Sequence, residues 1–196
     1  MRRIFFVTHA DVIMDPVVPV TDWQLSARGT ARHRAFARAC PPVGSVFSSF
    51  ERKAMDGADI LAEAQGLVAR RVASLHENDR SATGYLPPAE FEAMADAFFA
   101  HPRDSQRGWE RAIDAQARVV MTLRRVVAEA PSGDIAVVAH GGIGALLRAH
   151  LRGVGIDRSH DQPAGGGGGH LMVVSLPDWR LLQDWTRIED FAEAQA

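Results

Sequence analysis

"FFVTHADV", residues 5–12, runs three bulky apolar side chains into a threonine, a histidine and an acid. Unbroken apolar runs of this length, rich in aromatic and β-branched residues, fit strands covered on both faces, as in a mostly parallel sheet. The stretch therefore reads as a buried strand that places an imidazole, His9, at its tip. The same shape recurs as "IAVVAHGG", residues 135–142, with His140 at the end of the apolar run.

Working outward, "VGSVFSS" (43–49) gives a third strand and "LVARRVASL" (67–75), whose alternation is imperfect, a weaker fourth. "HLMVVSL" (170–176) and "RLLQDWT" (180–186) flank "PDW" and read as a terminal hairpin or meander. Helical spacing falls between the strands. It covers 26–40, after a serine N-cap, and 51–66, closing on a glycine C-cap. Further helical stretches are 87–102 between prolines, 109–131 with Ile113, Val120, Leu123 and Val127 on one face, and 142–155. Strand and helix alternate through most of the chain. This predicts an α/β fold, a three-layer α/β/α sandwich with helices on both faces of the sheet. The polar "HENDRSATGY" breaks the rhythm, so 76–108 is expected to be an excursion or lid over a single domain spanning 1–196.

Composition excludes several functions. The 196 residues are 46% hydrophobic with a formal charge of −2, ordinary for a globular chain. The arginines around 28–38 are spaced like a solvated helix face and accompany no nucleic-acid motif, so no nucleic-acid partner is expected. One cysteine, Cys40 beside Pro41 and Pro42, rules out an internal disulfide or a multi-cysteine metal site and reads as a packing residue. No apolar run reaches membrane-spanning length, and the N-terminal one is too short for a secretory signal; a cytoplasmic protein is the expectation. No oligomeric state is legible. Five glycines in "QPAGGGGGHL" (162–171) suit either an anion-binding nest or a flexible turn, but the lysine and hydroxyl of a nucleotide loop are missing.

In open α/β sheets ligands bind at the carboxyl ends of strands. Such ends here carry His9, His140, then Ser48, Ser49, Arg52 and Lys53, and finally His76, Glu77, Asp79 and Arg80. Two imidazoles, an acid and several cations suit an anionic substrate and proton transfer.

"FFVTHADV", "LSARGTAR", "VFSSFERKAMDGADILAE" and "AVVAHGG", in that order, resemble the histidine phosphatase superfamily, also called phosphoglycerate mutase-like. The resemblance covers nearly the whole chain. It implies that His9 is the nucleophile phosphorylated during turnover and that His140 is a second pocket histidine on the phosphoryl oxygens. It places Lys53 where a phosphate-binding arginine usually stands, and Glu77 at the acid that protonates the leaving oxygen. Thr8, Ser49, Arg52, Arg80 and Gly141 complete the expected phosphate-binding set, and no cofactor and no metal are expected. A small phosphorylated metabolite is the implied substrate, and hydrolysis the implied reaction.

The chain departs from the commoner pattern. Arg-His-Gly becomes Thr8, His9 and Ala10, and the second arginine becomes Lys53. Two bidentate forks are thereby lost. Arg52 or Arg80 is expected to restore the charge, within a divergent branch where Thr-His is normal. Three alternatives stay open: a phosphomutase, a phospho-ligand binder that has lost efficient chemistry, and a metal-dependent hydrolase using His9 and Asp11. For the leading scheme, a backbone carbonyl is expected to hold one nitrogen of His9 as a donor, freeing the other to attack.

Overall fold

The computed structural model describes residues 2–195. Its centre is β1 (Arg2–Thr8), which pairs in parallel with β4 (Ile135–Ala139) on one side and antiparallel with β5 (His170–Leu176) on the other. Outside β4 lies β2 (Ser45–Ser48), then β3 (Arg70–Arg71); outside β5 lies β6 (Leu181–Arg187). The six-stranded order is β3-β2-β4-β1-β5-β6, and β5 alone runs against the rest.

Because side chains alternate along a strand, an all-apolar β1 needs cover on both faces. Phe5 and Val7 pack with Val46, Ala136 and Val138 against α1 (Ala27–Ala39), α2 (Arg52–Ala64) and α6 (Ile188–Gln195), through Phe36, Leu61 and Phe191. Ile4 and Phe6 pack with Phe47, Ile135 and Val137 against α4 (Ala112–Glu129) and α5 (Gly141–Arg152), through Val119, Leu123, Ile143 and Leu147. The result is the three-layer α/β/α arrangement. The sequence 170–187 forms the antiparallel hairpin, with register shifts near Val173.

Three expectations need adjustment. The weak strand over 67–75 shrinks to Arg70–Arg71 at the sheet edge, where Val68 is left exposed. The helix expected from 109 starts at Ala112, because Trp109 turns into a separate cluster with Met94, Phe98, Phe99, Ala145 and Leu146. That cluster fastens α3 (Pro88–Ala100), the helical part of the 76–108 segment, onto α4 and α5. The terminal helix α6 lies outside the expected elements: "IEDFAEAQ" follows a strand without a break, and Ile188 and Phe191 pack into the core.

Candidate active site

β1 and β4 are in register from Ile4↔Ile135 to Thr8↔Ala139, so the next residue of each strand lies beside the other. Those residues are His9 and His140. Their ring centroids are 5.4 Å apart, edge to face, and the His9 N–H donates to the Ala139 carbonyl at 3.0 Å. Two distant motifs become one pair through strand pairing.

His9 Nδ1 lies 3.0 Å from the Ala10 carbonyl. A carbonyl only accepts, so Nδ1 carries the hydrogen and Nε2 presents a lone pair. Burial, then Lys53, lowers the imidazole pKa to about 4, against the opposing pull of the Ala10 hydrogen bond and Glu51. At neutral pH the His9 imidazole is uncharged. The backbone beyond it is fixed by His33, fully buried on α1, whose Nε2 accepts the Ala10 N–H at 3.1 Å. Burial, then His9 and Arg32, pushes His33 down to about 3, keeping it a neutral acceptor.

His140 is completely buried. Its Nε2 lies 2.8 Å from Ser49 Oγ and 3.4 Å from Glu51 Oε1. Ser49 Oγ also accepts the Glu51 N–H at 3.2 Å. The other ring nitrogen, Nδ1, has no protein partner. Burial, outweighing Glu51, holds His140 well below its ordinary pKa. A buried ring nitrogen left without a partner is expensive.

Lys53 is buried at the start of α2, with Nζ 2.8 Å from the Val20 carbonyl and 2.5 Å from Glu51 Oε2. Glu51 is not among the expected site residues. Burial raises its carboxyl pKa, but His140, Lys53 and the hydrogen bonds from Lys53 and the Glu77 N–H outweigh that and bring it to about 2. It thus links three of the expected site residues. Its place on the strand-to-helix turn reads as solvated in the sequence, and packing buries it.

Glu77 projects to the start of α5. Its Oε1 accepts the N–H groups of Asn78 at 2.9 Å and Ile143 at 3.0 Å, and its Oε2 accepts Gly142 N–H at 3.0 Å. Glu77 also lines an alcove of about 60 Å³ with Asn78, Arg80, Phe91, Trp109, Gly142 and Asp161. Arg80 lies over the rings of Phe91 and Trp109, 5.0 and 5.7 Å from their centroids. No carboxylate pairs with it among the described residues, and its charge reaches both histidines.

Other expected residues are engaged elsewhere. Arg52 is exposed and pairs with Asp56 at 2.7 Å, one helical turn along. Asp11 faces Arg28 and Arg32, at 3.0 and 2.8 Å, rather than joining His9. Thr8 is buried, accepting the His170 N–H at 2.9 Å and donating to Gln162 Oε1 at 2.8 Å. The glycine run is not an anion nest. The carbonyls of Gly166, Gly168 and Gly169 accept from the Arg32 guanidinium at 2.8, 3.0 and 3.2 Å. Gly168 has φ +72°, and a Cβ there would lie 2.3 Å from the His9 carbonyl oxygen. Its lack of a side chain lets β5 approach the catalytic strand.

The family model for the histidine phosphatase superfamily (branch 1) matches residues 4–176. A mycobacterial glucosyl-3-phosphoglycerate phosphatase in complex with inorganic phosphate is similar at 25% identity, with 96% of this chain and 99% of that one covered and a TM-score of 0.75. The same phosphatase with VO3 shows 26% identity over 94% and 98%, TM-score 0.74. YhfR of Bacillus stearothermophilus shares the fold at 17% identity, covering 96% and 100%, with a TM-score of 0.79. No curated protein gives a significant match.

Proposed function

This chain belongs to the histidine phosphatase superfamily, and on that premise we propose that it hydrolyses a phosphomonoester of a small metabolite through a phosphohistidine at His9. The observation that carries the reading is the arrangement of His9: its Nδ1 is engaged by the Ala10 carbonyl, and its ring stands against that of His140, whose Nδ1 has no partner.

His9 Nε2 forms a bond to phosphorus as the bond to the leaving oxygen breaks. His140 Nδ1–H and the Arg80 guanidinium donate to the equatorial oxygens, where charge accumulates. Ser49 acts through His140. Glu77 supplies the proton to the departing oxygen. Three of its lone-pair positions accept backbone N–H groups, which leaves one on Oε2 for the proton. In the second half, water attacks phosphorus, Glu77 takes the water's proton, and orthophosphate leaves with His9 restored.

Hydrolysis is favoured over the mutase reaction by the charge balance. Glu51 neutralises Lys53, so Arg80 is the cation left to retain a phosphorylated product. The leaving group fits the alcove beside Phe91 and Trp109, whose small volume favours compact organic groups. The relative that acts on a phosphorylated sugar acid, glucosyl-3-phosphoglycerate, supports a metabolite rather than a protein substrate. Steady-state turnover of p-nitrophenyl phosphate by the parent and by His9→Ala tests the reading. The parent is expected to hydrolyse it and the variant to lose at least about a thousandfold; equal rates overturn it.

A further inference from the structure

Gln162 lies between α5 and β5, at the head of the glycine-rich stretch. Its Oε1 receives the Thr8 hydroxyl at 2.8 Å and is 3.2 Å from His170 Nδ1. Thr8 Oγ1 accepts the His170 backbone N–H at 2.9 Å, so its own proton is available to Oε1. An amide oxygen only accepts, so His170 Nδ1 carries hydrogen as well. The Thr8 hydroxyl and the His170 ring thus both meet the amide at its oxygen end.

The other end is unsatisfied. Gln162 Nε2 has no protein partner among the described residues, and the residue is half-buried. It lies directly over Gly141, the residue after His140: a Cβ on Gly141 would come within 2.4 Å of Nε2. A side chain at 141 would push the amide away, and glycine admits it. Two N–H donors thus stand at the start of α5, against the residue that follows the buried His140.

We propose that Gln162 is a phosphate-binding residue, its amide NH₂ donating to a phosphoryl oxygen, with Thr8 and His170 as positioning residues. This rests on the reading that His9 accepts the phosphoryl group. Thr8 occupies the position where the resemblance puts an arginine, and it holds a neutral donor that reaches the anion in place of that guanidinium. An uncharged amide binds an oxyanion less tightly than a guanidinium does, which eases departure of orthophosphate.

The inhibition constant of orthovanadate, a probe of the five-coordinate phosphoryl geometry, tests the proposal on the full chain with p-nitrophenyl phosphate as substrate. Gln162→Glu keeps the oxygen that Thr8 and His170 bind and replaces the donor with an anion. Gln162→Met removes the donor without adding charge. Both are expected to raise the constant by at least about tenfold, the loss of one good hydrogen bond to a charged group. Thr8→Val is expected to move it the same way, Thr8→Ser to restore it, and Thr8→Val to add little once Gln162 is Met. Gln162→Asn, the mildest change, carries the same expectation should the larger ones fail to fold. Constants within about twofold of the parent in folded Gln162 variants overturn the proposal. The parent reading fails separately, if His9→Ala still turns over the substrate.

Discussion

Lys53 Nζ lies 2.5 Å from Glu51 Oε2, and both side chains are buried beside the histidine pair. The lysine at the position of a phosphate-binding arginine is therefore already matched by an anion, and Glu51 also reaches His140 and the Glu77 backbone. Glu51 is the hub of the site's polar network. Glu51→Gln leaves the Lys53 charge buried without its counterion, a loss of about 3–5 kcal/mol where a buried pair is broken. The Glu51 carboxyl is held at about 2 against an ordinary 4.5. Its contribution is therefore present above pH 4.5 and lost as pH falls toward 2. Urea unfolding across that range should show a smaller acid-dependent loss in Glu51→Gln than in the parent.

Arg80 and Arg52 separate cleanly. Arg80→Ala should lower kcat/KM for an aryl phosphate by about tenfold to a hundredfold, the range of a hydrogen bond to a charged group. Arg80→Lys should recover only part of it, because a lysine lacks the planar fork that stacks on Phe91 and Trp109. Arg52→Ala should stay within about twofold, since it breaks only an exposed helix pair.

The pH profile follows from His9. The attacking imidazole must be neutral, and its pKa is lowered to about 4 by burial and then by Lys53. After correction for the substrate's own ionisation, the acid limb of kcat/KM should bend near pH 4, rather than near the 6.5 of a solvated histidine. Activity is retained above that limb and lost below it.

Two glycines of the 165–169 run should differ sharply. Gly168→Ala places a Cβ 2.3 Å from the His9 carbonyl oxygen at φ +72°, whereas Gly165→Ala, at φ +81°, meets nothing within 4 Å. Both add backbone strain of about 1–3 kcal/mol. Only Gly168→Ala should also displace His9 and reduce kcat, as melting temperature and turnover measured together would show.

Why some of this was legible in the sequence is clear from particular residues. His9 and His140 end apolar strands, and strand pairing, a regular rule, brings such ends together. The helices on both faces follow from β1 being apolar at successive positions. Glu51 and His33 were not legible, because a glutamate beside a helix start and a histidine in an arginine-rich helix look solvated until packing buries them. Of the two readings the glycine run allowed, the anion nest fails: its carbonyls face a partner, and that partner is the Arg32 guanidinium. Arg52 and Arg80 were equivalent on paper. Only the third dimension gives one an acid and the other an aromatic bed.

The most direct test is to trap the phosphorylated enzyme. Acid-labile, base-stable phosphate should accumulate on the parent during rapid quench from an aryl phosphate, and mass spectrometry should map it to His9, on Nε2, the nitrogen opposite the Ala10 contact. Sustained turnover with no adduct at His9, or with the adduct on another residue, would contradict the account.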